Sequence, residues 1–174
     1  MTYDKSRTQA LSSESQKVVQ AFEDLDTDAK LAWFYLVYKK MGDSVTPAAP
    51  AATEPELAPR LLGDYYELPD DQQLAIMRQI VKREDTDYSR AYGALKENNQ
   101  LMVWFAWAQA MGDTVVGMPD GYQATQAIND VLAQTEGLEF EEQISMLRTI
   151  ASLMGYSDVK PIETQAETGK TTSL

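Results

Sequence analysis

Two short segments hold most of the residues whose type and spacing could do chemistry. In the run from Leu31 to Gly42, Leu31, Phe34, Tyr35 and Tyr38 recur at i, i+3, i+4 and i+7. In the run from Leu101 to Gly112, Leu101, Trp104, Phe105 and Ala108 recur at the same offsets. That spacing places each set on one face of a helix. Trp33 and Trp107 fall off the stripes, so all 3 tryptophans of the chain lie in these two segments. An aromatic stripe at helical spacing is ordinarily core, and a methionine among rings ordinarily fills a gap. A core built for density, however, prefers interdigitating Leu, Ile and Val. Here two equivalent helices offer flat rings and methionines, with Ala106, Ala108 and Ala110 leaving room, and no charge interrupts either stripe. The chemistry this suits is stacking on a long, rigid, apolar ligand held between helices.

The composition excludes most alternatives. The 174 residues contain 0 histidines and 0 cysteines. Cys- or His-ligated zinc, cysteine nucleophiles and Ser-His-Asp triads are therefore out. So are haem on histidine or thiolate, cysteine-held iron–sulfur clusters and di-iron sites built on Glu-x-x-His. Acidic residues outnumber basic ones 27 to 15, a net charge of −12. A field of that sign repels phosphate backbones and anionic lipid, so no nucleic-acid partner is expected. The carboxylates Asp70 and Asp71, and Glu139, Glu141 and Glu142, stand at helix starts, where they favour the positive end of the dipole. That reading is preferred to a metal site, and no metal or catalytic turnover is expected. The longest apolar run, Leu101 to Ala108, is 8 residues, far short of a membrane span. The N-terminal residues lack the apolar core of a secretory signal. A cytoplasmic protein is expected.

The elements that must position these stripes are helical almost throughout; no apolar/polar alternation argues for a strand. Residues 1–13 are polar and expected to be flexible, 14–156 form the helical domain, and 157–174 form a disordered tail. Helices are expected over about Glu14–Asp24 with Ser13 as N-cap, Asp28–Met41, around Leu61–Tyr66, Leu68–Lys82, a short one holding Tyr88 and Tyr92, Glu97–Met111, Ala124–Gln134 and Glu139–Met154. Residues 43–59, with 4 prolines, read as a long extended connection. Met118-Pro119-Asp120-Gly121-Tyr122 reads as a turn. Met-Gly pairs at 41–42, 111–112 and 154–155 read as helix ends with glycine C-caps, or as the mark of a duplicated helical unit.

The runs LAWFYLVYKKMG, TPAAPAA, NNQLMVWFAWAQAMG, MPDGY and ISMLRTIASLMGY, in this order, resemble the N-terminal domain of the orange carotenoid protein family. The resemblance covers about Leu25 to Tyr156, without the second domain of the two-domain members, and is nearest to the stand-alone helical carotenoid proteins of cyanobacteria. It implies an all-α fold of two interleaved four-helix bundles with a ketocarotenoid threaded between them, canthaxanthin first and echinenone or a relative second. The pigment site would take Leu31, Phe34, Tyr35 and Tyr38 from one helix and Leu101, Trp104, Phe105, Ala108 and Met111 from the other. Ile76, Met118, Ile144, Ser145, Ile150 and Met154 would close the tunnel. Arg148 matches an arginine that bridges the domains of the longer relatives and contacts the antenna. Its other reading is an ion pair with Glu141 or Glu142.

The resemblance further implies photoprotection, by quenching singlet oxygen or carrying carotenoid. The implied partners are the phycobilisome and a stand-alone homologue of the missing C-terminal domain that donates pigment. The location would be near the thylakoid and the state monomer or homodimer. Departures from the family pattern are also visible. Tyr35 stands where tryptophan is usual, and Met102 and Ala108 stand where the two-domain proteins have glycine, which narrows the tunnel there. Two other readings remain at this stage: a pigment-free helical adaptor, favoured by those substitutions, and a carboxylate enzyme with an oxygen-ligated metal.

Overall fold

The computed structural model describes residues 11–45, 58–118 and 122–157. Helix α1, Ser13–Glu23, starts where the Ser12 hydroxyl accepts the Ser15 amide at 3.1 Å, one residue before the expected cap. It buries Val18, Val19 and Phe22 on one side. Helix α2, Thr27–Val45, opens with the Asp26 carboxylate accepting the Ala29 amide at 2.8 Å. It runs through Gly42 rather than ending there. A helical glycine costs about 1 kcal/mol, and the packing of α2 against four other helices outweighs that. The helix expected around Leu61–Tyr66 is instead a series of turns and a 3-10 segment, Asp64–Glu67. Gly63 permits the tight turn: a Cβ there would lie 2.6 Å from the Pro59 carbonyl oxygen. Leu68, pushed to extended geometry by the proline after it, ends the segment.

Helix α3, Asp70–Val81, follows with two carboxylates in its first turn. Helix α4, Asp87–Gly93, is capped by Thr86, and α5, Glu97–Gln109, carries the second aromatic run. Helices α6, Gln126–Glu136, and α7, Phe140–Ser152, complete the described elements. Gly112 and Gly155 sit at φ +84° and +81°, just beyond the ends of α5 and α7, where glycine alone is at ease. Two of the three Met-Gly pairs thus mark helix ends and the first does not. The turn at 119–121, most of the 43–59 connection and both chain ends lie outside the described residues.

Helices α1, α2, α6 and α7 pack on one another; α3 packs on α2 and α4, and α5 on α2 and α7. The chain begins the first bundle, leaves to build α3–α5, and returns to finish it. The fold is all-α with two interleaved bundles that share α2. No strand occurs among the described residues, only an isolated bridge between Met111 and Val115. None of the described helices is long and apolar enough to cross a membrane.

The segment after α7 straps the two bundles together. The Gly155 amide donates to the Ile80 carbonyl at 2.9 Å and the Tyr156 amide to the Ser89 carbonyl at 3.1 Å. Arg83 donates to the Leu153 carbonyl and pairs with Glu23, which also meets Lys30 at 3.3 Å.

An aromatic seam and an apolar cavity

The two aromatic stripes face each other. Phe34 of α2 stacks on Trp104 of α5, with ring centroids 4.9 Å apart and planes 8° from parallel. Tyr38 meets Phe105 edge-on at 5.8 Å. Behind this contact Phe22, Trp33 and Phe34 form a tight trio, with centroids 4.9 to 5.8 Å apart. On the other side Trp107 stacks on Tyr65 at 4.1 Å and donates its Nε1–H to the Leu61 carbonyl at 2.9 Å. The Trp33 Nε1–H is buried and has no partner among the described residues.

Beside the seam lies a cavity of about 360 Å³, lined by residues including Leu31, Ala32, Leu74, Met77, Met111 and Met118. Its walls are almost wholly apolar. At its rim Arg78 donates Nε and a terminal nitrogen to the two Asp28 carboxylate oxygens at 2.9 and 3.1 Å. Tyr122 completes the rim; burial first, then Asp26 and Asp28, raises its phenol above the usual range. No group of three or more His, Cys, Asp or Glu side chains among the described residues is placed to hold a metal.

Two buried polar side chains hold this arrangement. Gln73 of α3 is 1% exposed. Its Nε2 donates to the Tyr65 carbonyl at 3.0 Å and the Thr114 carbonyl at 2.9 Å, and its Oε1 accepts the Val116 amide at 2.8 Å. It thereby ties down the segment that carries Met111 and Met118 to the cavity. Tyr92 of α4 is fully buried. Its hydroxyl accepts Trp104 Nε1–H at 2.8 Å and donates to the Ala151 carbonyl at 2.5 Å, while Gln100 donates to its backbone carbonyl at 3.0 Å. Burial pushes the Tyr92 phenol far above its ordinary range, with the Trp104 hydrogen bond opposing. Tyr65 is raised likewise, by burial and then by Tyr66, Asp70 and Tyr88.

The structure groups the expected site residues unevenly. Leu31, Met111 and Met118 share the cavity wall. Phe34, Trp104, Tyr38 and Phe105 form the seam. Ile76, Leu101, Ala108, Ile150 and Met154 are buried. Tyr35 is half-buried, with the Lys39 ammonium 5.8 Å from its ring centroid. Met102, the narrowing substitution, is 2% exposed. Ile144 is half-buried; Ser145 is exposed and lines a separate shallow hollow with Ser12, Ser15, Glu141 and Glu142. Arg148 makes no ion pair with Glu141 or Glu142, and its buried Nε has no partner among the described residues.

Gln73 and Tyr92 were not legible as site residues, although their positions carried a signal. Gln73 shares the buried face of α3 with Ile76, Met77 and Ile80, at i+3, i+4 and i+7. A polar side chain in such a stripe must find partners inside.

The fold and site together define a class: an all-helical binding domain whose aromatic seam and apolar cavity suit a flat, apolar ligand. The sequence matches the family described as orange carotenoid protein, N-terminal, over residues 8–157, and the chain belongs to that family. Among its relatives is an orange carotenoid-binding domain-containing protein of Nostoc sp. PCC 7120, 34% identical over 79% of this chain and 81% of its own length. The orange carotenoid-binding protein of Synechocystis sp. PCC 6803 is 32% identical over 80% of this chain, which spans 44% of that longer protein. The structure of the Anabaena (Nostoc) sp. PCC 7120 red carotenoid protein binding canthaxanthin is similar at a TM-score of 0.72 and 34% identity, covering 82% of this chain and 99% of that one. The Anabaena orange carotenoid protein binding canthaxanthin aligns at a TM-score of 0.76 and 27% identity, over 92% of this chain and 53% of its own.

Proposed function

We propose that the chain binds a ketocarotenoid, canthaxanthin first and echinenone second, along the α2–α5 seam, and that it serves photoprotection. The observation that carries this reading is the ring-lined seam beside an apolar cavity at Leu31, Met111 and Met118. The residues present fit such a pigment in chemistry. At about 360 Å³ the cavity lies in the size range of small-molecule sites and matches one end ring. The rest of a long polyene needs the rings of Phe34 and Trp104 to separate. Leu31, Phe34, Tyr35, Tyr38, Ile76, Leu101, Trp104, Phe105, Ala108, Met111, Met118, Ile150 and Met154 would hold it by dispersion and burial. Ile144, Ser145 and Arg148 would sit at its outer end.

A bound polyene accepts energy from singlet oxygen and releases it as heat; the protein's part is to seat the pigment and exclude water from it. No general acid, base or nucleophile is needed, so the protein is not an enzyme on this reading. It would act in the cytoplasm near the thylakoid, as quencher, carrier or both. It would take pigment from a homologue of the C-terminal domain and contact the phycobilisome through Arg148. The second reading is a pigment-free adaptor. It is favoured by the direct Phe34–Trp104 stack, which fills the seam, and by the buried Met102.

The test is a visible absorption spectrum of the protein purified from a host that makes ketocarotenoids. A polyene band co-eluting with the protein supports the pigment reading. A colourless, folded protein favours the adaptor.

A further inference from the structure

Trp104 is a seam ring whose polar handle is buried, and the Tyr92 hydroxyl accepts it. Its Nε1–H donates to the Tyr92 hydroxyl at 2.8 Å at the ring's edge, while Phe34 stacks on its face. The phenol is itself anchored at both ends. Its hydroxyl donates to the Ala151 carbonyl of α7, and its ring is pinned by Gly155, where a Cβ would come within 2.5 Å of Tyr92 Cδ1. The backbone that follows it is also held. Gln100 bonds the Tyr92 carbonyl, and Gly93 leaves no room for a Cβ against the Tyr156 carbonyl oxygen. A rigid chain thus runs from the strap after α7, through Tyr92, to the indole of Trp104.

We propose that Tyr92 is the positioning residue of the pigment site: it touches no ligand, and it sets the orientation of the Trp104 ring on which an apolar polyene stacks. This rests on the pigment reading above. An indole with its N–H bonded has one preferred orientation in the seam. Released, it can rotate about χ2, and the stacking face it offers varies from molecule to molecule. Tyr92 therefore narrows the pigment's environment as well as adding a neutral hydrogen bond.

The test uses Tyr92→Phe, which keeps the ring and removes the hydroxyl, with readouts on the chain in pigment-free and pigment-loaded form. In the pigment-free protein the Trp104 indole N–H, assigned by its loss in Trp104→Phe, is expected to exchange slowly with solvent. In Tyr92→Phe it should exchange about fivefold faster, the equivalent of one neutral hydrogen bond. Slow exchange in wild type that is unchanged in Tyr92→Phe, or fast exchange already in wild type, overturns the proposal; the wild-type measurement stands even if the variant does not fold. In loaded protein Tyr92→Phe should broaden and shift the canthaxanthin band. The same substitution in a Trp104→Phe background should leave the band unmoved. A merely structural role would lower stability in both backgrounds without moving the band in either. If wild type takes up no canthaxanthin, the pigment reading fails and the exchange result still judges the Tyr92–Trp104 link. If wild type is coloured and Tyr92→Phe leaves its spectrum unchanged, only the positioning role fails.

Discussion

Replacing Gln73 by leucine removes one buried side-chain amide and nothing of the backbone. Three hydrogen bonds are lost: two donated by Nε2 to the Tyr65 and Thr114 carbonyls, and one accepted by Oε1 from the Val116 amide. The bond from the Tyr65 hydroxyl to the Gln73 carbonyl survives, because its acceptor is main chain. The three stranded partners are not equal. Thr114 is exposed and its carbonyl can turn to water, and the buried Tyr65 carbonyl keeps the Leu68 amide at 3.1 Å, whereas the half-buried Val116 amide loses its acceptor. One stranded amide at about 1–3 kcal/mol and one further lost hydrogen bond at about 1 kcal/mol, less about 1 kcal/mol for the apolar burial leucine gains, leave a net loss of about 1–3 kcal/mol. For a chain of this size that lowers Tm by about 2–12 °C. The assay is thermal unfolding followed by circular dichroism on the pigment-free protein. The loss should be accompanied by weaker pigment retention, because Gln73 holds the segment bearing Met111 and Met118 against the cavity. A Tm within about 1 °C of wild type would refute the reasoning.

Two further predictions concern stability. Tyr65 and Tyr92 both have phenols raised by burial, so the folded state keeps protons that the unfolded state releases above pH of about 10. Stability contributed by these two groups is fully present below that pH and falls above it, by about 1.4 kcal/mol per pH unit for each. Denaturant melts at pH 9, 10 and 11 measure this, and a flat profile through pH 11 would contradict it. Gly93→Ala places a Cβ 2.1 Å from the Tyr156 carbonyl oxygen, a backbone clash that must displace the strap. We expect faster amide exchange at Gly155 and Tyr156 and a Tm loss of several degrees, read by hydrogen exchange and calorimetry.

The helices and their facing stripes were legible because the signal is periodic and apolar. Their spacing put each set on one helix face; the direct contact of Phe34 with Trp104 and of Tyr38 with Phe105 is a finding of the structure. What local sequence could not supply was the outcome of competition between local and tertiary terms. Gly42 reads as a stop, yet α2, which as a whole packs on four other helices, continues to Val45. Leu61–Tyr66 reads as helix, yet the close approach of Gly63 to Pro59 and the proline at 69 leave only a 3-10 turn. Residues grouped at one site can also face different ways: five positions apart on one helix, Ile150 is buried in the core while Ser145 opens to a different hollow. Gln73 and Tyr92 escaped notice because their partners lie on other elements, Thr114, Val116 and Trp104.

The central claim is that a polyene is seated on the α2–α5 seam. The measurement that tests it most directly is the pigment-to-protein ratio after purification from a ketocarotenoid-making host, for wild type beside Trp104→Ala. The account predicts near-stoichiometric pigment in wild type and a large loss in a folded Trp104→Ala protein. Equal occupancy in the two would place the pigment elsewhere and contradict the account.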